Sequence, residues 1–258
     1  MLSVLSIASY TFISHLRNRV FLILVLFGFL ILGASVLFGL LGQEEEIRIL
    51  LNFGLSSIEV LAALTSVFLM IQLVLEEIET RSIYLIIIRP IHRFQYLLGR
   101  LSGTLASIFV CMGFMIFAHL ALLIFKGWSF QDQGFLYLLS VVTSFEKVIL
   151  ISIIALFLSL ACSSSVVALV FTFFFWVLGH FAMEMKYMVS ELNNGAAKWV
   201  LRGIYHLIPH FQYMNARDFW TALSGTLYPF ILHSFLYTLL YSSLVFLLTV
   251  AIFQKKEF

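Results

Sequence analysis

Glu76, Glu77, Glu79 and Arg81 stand within six residues of one another in a chain that has few charges anywhere. Adjacent glutamates can do hydrolytic work when one of them is buried, because desolvation raises its pKa until it can take a proton from water. More charges follow here: Arg89, Arg93 and Arg100, with Pro90 after the first of them. Between the acids and the arginines lies an apolar patch at residues 83–88, which includes Ile83 and Tyr84. An apolar centre inside a charged rim is the layout of a protein–protein contact. Two chemistries therefore stand side by side: water activation by Glu76 and Glu77, or docking of a partner on the whole stretch. Pro90 lacks an N–H and its ring clashes with the preceding turn, so a helix through the patch ends at Arg89. The stretch predicts a short amphipathic helix on a membrane surface.

Other chemistry-bearing residues lie inside apolar runs. Glu59 falls early in one run and Glu146-Lys147 in another. A charge at mid-membrane costs about 2.5–3.5 kcal/mol on insertion scales. Glu59 thus requires a partner, a cavity or a route to the interface. Glu146 and Lys147 either pair within a bundle or mark the start of a shorter span. His119 and His180 also sit in apolar runs, where two histidines can ligate haem or a metal. No carboxylate or cysteine pattern accompanies them, so core or gate-lining histidines are expected and no metal. Glu59, Glu146 and His180 are the candidate pathway residues. His206, Pro209 and His210 match no strong ligand spacing. Cys111 and Cys162 lie in apolar surroundings and read as buried thiols.

The elements that position these residues follow from composition. Of 258 residues, 62% are hydrophobic and 11% charged, with a mean hydropathy of +1.07. Soluble domains carry about 25% charged residues. Continuous apolar blocks point to an all-α polytopic membrane protein and not to a barrel. The formal charge of +2 gives no footprint for nucleic acid. One domain, 1–258, is expected, with six spans at residues 20–41, 55–75, 102–125, 136–160, 166–182 and 230–253. The fourth contains Glu146-Lys147 and is expected to tilt or break near Ser144. Residues 2–18 place Ser3, Ser6, Ser14 and Arg17 on one helical face, the pattern of an interfacial elbow lying on the bilayer. The charges of this segment follow its apolar part, so it does not read as a cleavable signal. Residues 183–225 form the longest polar segment, with Trp199, Tyr205 and Trp220 as an aromatic belt, an outer gate or a dock for an extracytoplasmic partner. Six spans put both termini on one side. The arginines at 17, 19, 81, 89, 93 and 100, with Lys255 and Lys256, favour the cytoplasm for that side.

The order Glu77-x-Glu79-x-Arg81-Ser82-Ile83-Tyr84-Leu85, Arg89-Pro90-Ile91-x-Arg93, Tyr96-Leu97-Leu98-Gly99-Arg100 resembles the ABC-2-type transporter permease family. The layout matches over nearly the whole chain: elbow, six spans, a charged segment after the second, and Gly179-His180 late in the fifth. The likeness is to compact members, such as the permeases of the nitrous oxide reductase maturation transporter and of the gliding-motility transporter. One departure is Arg100, where lysine is common; the charge is kept. The resemblance implies a non-catalytic permease subunit of an exporter in a bacterial inner membrane. It implies pairing with a second copy or a similar permease, in contact with the lipid bilayer. The segment after the second span would be the coupling helix, with Glu76, Glu77, Glu79, Arg81, Ile83, Tyr84, Arg89, Pro90, Arg93, Gly99 and Arg100 seating a cytoplasmic ATPase dimer. ATP and Mg would belong to that partner, since the chain has no Gly-x-x-x-x-Gly-Lys-[Ser/Thr] and no glycine followed by lysine. Glu76-Glu77-x-x-x-Arg81 also resembles the paired-glutamate motif of intramembrane CAAX-type proteases. Those enzymes need Phe-x-x-x-His and His-x-x-x-Asn as well. Here His119 and His180 follow Met115 and Trp176, and no histidine precedes an asparagine at that spacing. A secondary carrier is the remaining alternative; no internal repeat relates residues 20–125 to 136–253, and Pro229 alone is placed to break a span.

Overall fold

A computed structural model describes residues 2–41, 45–80, 92–191, 195–217 and 227–255, and these are helical with no strand among them. Polar punctuation sets the helix ends. α1 (Leu2–Arg17) stops at Asn18, whose Oδ1 accepts from the Val20 backbone N–H at 2.8 Å and so caps α2 (Arg19–Leu41). α3 (Glu46–Glu79) is one helix of 34 residues, about 51 Å at 1.5 Å per residue. α4 (Arg93–Phe125) ends where Gly127 takes φ +86°. The N–H groups of Gly127 and Trp128 then return to the carbonyls of Ile124 and Leu123, both at 3.0 Å. That pattern satisfies carbonyls a helix end leaves open and needs a residue free of Cβ strain. α5 (Phe130–Ala161) follows, then α6 (Ser165–His180), α7 (Ala182–Glu191), α8 (Ala196–Leu207), a 3-10 turn (Phe211–Met214) and α9 (Leu227–Lys255).

Five helices, α2, α3, α4, α5 and α9, are long and apolar enough to cross a membrane. A sixth crossing exists if α6 and α7, bent by 66° at Phe181, count as one span. α3 and α5 lie at the centre, with 72% of their apolar windows buried, against 22%, 33% and 28% for α2, α4 and α9. Ile58, Ala62, Met70 and Ile71 of α3 pack there with Val148, Ile151, Ala155 and Leu156 of α5. Leu22, Leu26 and Leu30 of α2 and Leu240 and Leu247 of α9 point outward and are exposed. Such a girdle suits lipid tails as solvent, which gain nothing by expelling leucine.

Glycine notches let helices approach. A Cβ on Gly103 would stand 2.5 Å from the Ala8 carbonyl oxygen and 2.7 Å from Thr11 Cβ. Gly99, one turn earlier, would meet Ile7 at 2.8 Å. This pair of small residues makes the groove on α4 in which α1 lies.

Several boundaries differ from the sequence expectation. The second span begins at Glu46 and not at residue 55, because Asn52 and Ser56 are carried within the helix. There the Ser56 hydroxyl donates to the Asn52 carbonyl at 2.7 Å, which satisfies it without a break. α5 runs unbroken through Ser144, whose hydroxyl is turned to a partner on α3. The fifth span is only 16 residues, about 24 Å, shorter than the roughly 30 Å of a bilayer core. Glu76, Glu77 and Glu79 belong to the last turn of α3, while Tyr96, Gly99 and Arg100 belong to α4. The amphipathic segment at 83–88, with Arg81, Ile83, Tyr84, Arg89 and Pro90, lies outside the described residues.

Candidate functional site

Glu59 is 4% exposed on the central helix α3 and has gathered partners from three other parts of the chain. Ser144 and Lys147, one turn apart on α5, face it together. Lys147 Nζ donates to Glu59 Oε1 at 2.9 Å, and Ser144 Oγ donates to Oε2 at 3.2 Å. His180, at the end of the short α6, brings Nε2 within 3.4 Å of Oε1. Arg217 completes the set: Nη2 donates to Oε2 and Nη1 to the Ser56 hydroxyl. Each carboxylate oxygen thus faces two donors.

The short sixth helix explains how Arg217 reaches this depth. α6 stops at His180, and residues 208–217 fold back over its end. Phe211 and Met214 are buried there, at 1% and 0% exposure. Gly179 permits the approach, because a Cβ would stand 2.7 Å from both the Phe211 ring and the Pro209 carbonyl oxygen. His180 is held between the rings of Trp176 and Phe211, at 4.7 and 4.9 Å. Its Nδ1 faces the Trp176 carbonyl at 3.0 Å. A carbonyl and a carboxylate both only accept, so each contact calls for a ring N–H.

Beside these groups is a cavity of about 290 Å³, lined by Glu59, Lys147, His180 and Arg217 and also by Gln212 and Asn215. Of the three expected pathway residues, Glu59 and His180 come together here. Glu146 is buried but turned toward Ser234 of α9, with one carboxylate oxygen lacking a hydrogen-bond partner. Sequence reasoning missed Ser56, Ser144 and Arg217 as members of the cluster. The signal for Lys147 was present, since an opposite charge in another apolar run is what a buried Glu59 requires.

A second cluster ties the charged stretch together at the other ends of α3 and α4. Arg100, 2% exposed, pairs with Glu77 through Nη2 and donates from Nη1 to Thr11 Oγ1 of α1 at 2.9 Å. The Tyr96 hydroxyl also donates to Glu77. Arg100 lies over the rings of Tyr10 and Tyr96 at 5.5 and 5.4 Å. Arg93 donates to the carbonyls of Phe253 and Gln254, at 2.6 and 3.0 Å, so a cation meets the C-terminal end of α9. Gly99 seats α1, as above. Glu76 is exposed on the last turn of α3, and Glu79 ends that helix.

His15 is packed into the same corner, 1% exposed on α1. Burial and the neighbouring Arg100 guanidinium lower its pKa from 6.5 to about 4. A depressed histidine favours the neutral form in the fold. The stability it protects is whole above pH 6.5 and is lost as pH falls toward about 4. We expect acid unfolding in neutral detergent to include a loss of up to about 3 kcal/mol from this residue. His15→Phe should flatten the stability profile across that window; an unchanged profile would remove His15 as its cause.

The other histidines weighed as ligands make contacts within the fold, though His210 Nε2 is buried with no hydrogen-bond partner among the described residues. His119 Nε2 meets the Leu50 carbonyl at 3.2 Å and must donate to it, so Nδ1 accepts from the Tyr137 hydroxyl at 3.0 Å. The ring lies directly over Gly54. His210 is engaged by Tyr237, through its backbone N–H at 2.9 Å and its Nδ1 at 3.1 Å. Among the described residues no group of three or more His, Cys, Asp or Glu is placed to hold a metal ion, and both cysteines are free thiols.

No protein-family model and no curated protein matches this chain. Its class is accordingly the one the helices define: an all-helical protein with five or six helices long and apolar enough to span a membrane.

Proposed function

We propose that this chain is the transmembrane permease subunit of an ABC-type exporter, driven by a separate cytoplasmic ATPase dimer. Two copies, or this chain and a similar one, form the pathway in a bacterial inner membrane, with both termini in the cytoplasm. The observation that carries the reading is the anchoring of the charged stretch at both ends. Before residues 81–91, Glu77 is locked to Arg100 and Tyr96; after them, Arg93 grips the end of α9. Arg100 extends the connection to α1 through Thr11. A force applied to residues 81–91 would therefore be delivered to α1, α3, α4 and α9 together, which is what coupling to an ATPase requires. The sequence of that segment, with its apolar centre and charged rim, suits the docking. In this reading the elbow role of α1 is to brace α4 at the cytoplasmic surface.

The test is co-purification in mild detergent with a co-expressed candidate ABC ATPase from the same source. Wild type should retain the ATPase and hydrolyse Mg-ATP. The double variant Glu79→Ala, Arg81→Ala should lose at least about tenfold in retained ATPase, with an unchanged unfolding midpoint. A folded wild-type chain that retains no ATPase would overturn the proposal.

A further inference from the structure

We propose that the groove between α5, α8 and α9 holds an acyl chain of an anionic phospholipid, with the phosphate of its headgroup on Arg202 of α8. The inference stands on this groove and not on any ATPase.

Shape comes first. The groove has a volume of about 630 Å³. Its α9 wall is one helical face: Tyr237, Leu240, Tyr241, Leu244, Val245 and Leu248. From Tyr237 to Leu248 that face runs about 17 Å at 1.5 Å per residue, close to half of the roughly 30 Å hydrocarbon core of a bilayer. Leu240, Leu244 and Leu248 are exposed, so the groove opens sideways along its length. Ile154 and Phe157 of α5 make its floor. Polar groups gather at one end, where His206 of α8 meets Tyr237 and Tyr241. There the Tyr241 hydroxyl donates to the Leu207 carbonyl at 2.9 Å and holds the end of α8 over the groove. An occupant polar at α8 and apolar toward Leu248 fits this gradient.

Charge comes second. α8 buries none of its residues. Val200, Ile204 and Leu207 share one exposed apolar face, while Arg202 and His206 stand one turn apart on another. The Arg202 guanidinium lies 5.6 Å from the exposed Trp199 ring, and such a Trp suits the boundary between headgroups and chains. Among the described residues no carboxylate lies within ion-pair distance of Arg202. Its planar fork of N–H groups matches phosphate. A second copy of the chain fits less well. The outward helices α2, α4, α6 and α9 contain no Asp or Glu, so they would cover the leucines without bringing an anion to Arg202.

The experiment is native mass spectrometry of the whole protein in neutral detergent with three probes: phosphatidylglycerol, phosphatidylcholine of the same chains, and inorganic phosphate. Phosphatidylglycerol should bind at least about tenfold more tightly than phosphatidylcholine. Arg202→Gln should bring that ratio close to one and leave phosphatidylcholine binding as it was. Leu244→Trp should fill the groove and weaken phosphatidylglycerol at least about tenfold with Arg202 untouched. Both side chains are exposed, so the unfolding midpoint should hold in each variant. Equal binding of the two lipids by wild type, a wild-type ratio in folded Arg202→Gln, or wild-type affinity in folded Leu244→Trp would overturn the proposal. Inorganic phosphate that binds as tightly as phosphatidylglycerol would assign Arg202 to a soluble anion. A dimer lost in Leu244→Trp while lipid binding persists would assign the groove to a second copy. Either result overturns the phospholipid.

Discussion

Glu59→Leu is expected to destabilise the bundle by about 3–5 kcal/mol, measured by unfolding in neutral detergent. The carboxylate is the common partner of Lys147, Arg217 and Ser144, and Lys147 is itself only 6% exposed. Without Glu59, Lys147 and Arg217 lose the carboxylate they share. Most of the loss is the penalty on those two charges and not the worth of the pair itself. The sign of a second substitution follows. Lys147→Met removes one of the two charges, so Glu59→Leu should cost at least about 1.5 kcal/mol less in that background. Glu59→Gln keeps the shape and can still accept from Ser144, and should fall between wild type and leucine. Equal costs of Glu59→Leu with and without Lys147 would mean that the two side chains do not share a network.

How far this cluster was legible depends on how each member reaches it. Glu59 and Lys147 interrupt apolar runs, and the energetic cost of burying one charge predicts another nearby. Ser144 reads as a weak point in a span, yet a serine inside a helix can turn its hydroxyl to a carboxylate and leave the helix intact. Arg217 carries no such mark. It lies in a polar segment that reads as surface, 158 residues from Glu59, and arrives only because α6 is too short to occupy its layer. The helix-length deficit and the fold-back of Phe211 and Met214 are tertiary facts with no local signature. By contrast the boundary between α1 and α2 has a local signature in Asn18, a residue that both stops one helix and caps the next. The charged stretch was visible as a unit, but its division was not. The carboxylates continue α3, and Arg93 and Arg100 already belong to α4, because helix propagation does not stop at a change of polarity. Gly99 and Gly103 stand one turn apart on α4, the spacing of a helix-packing notch, though sequence alone does not say which helix fills it.

Arg100→Ala should release α1 from the bundle while leaving the central α3–α5 packing in place. Arg100 joins three elements at once: Glu77 of α3, Thr11 of α1, and the aromatic faces of Tyr10 and Tyr96. Alanine takes the Arg100 guanidinium from Glu77, in a site where that carboxylate side chain is 14% exposed, and takes the Thr11 bond from α1. A loss of about 3 kcal/mol is expected. Lysine keeps the charge but presents a single ammonium in place of a planar fork, so it serves Glu77 or Thr11 less well than both together; about 1–2 kcal/mol is expected. Trypsin reads the difference, since Arg17 and Arg19 flank Asn18 at the hinge between α1 and α2. Where opening is fast and cleavage slow, the rate follows the open population. Cleavage at the hinge should therefore rise about a hundredfold in Arg100→Ala and roughly tenfold in Arg100→Lys. The same ordering should appear in ATPase retention, because the seat of α1 and the anchor of residues 81–91 are one side chain. Wild-type cleavage rates in folded Arg100→Ala would show that the glycine groove alone holds α1, and that Arg100 serves the charged stretch without bracing the helix beside it.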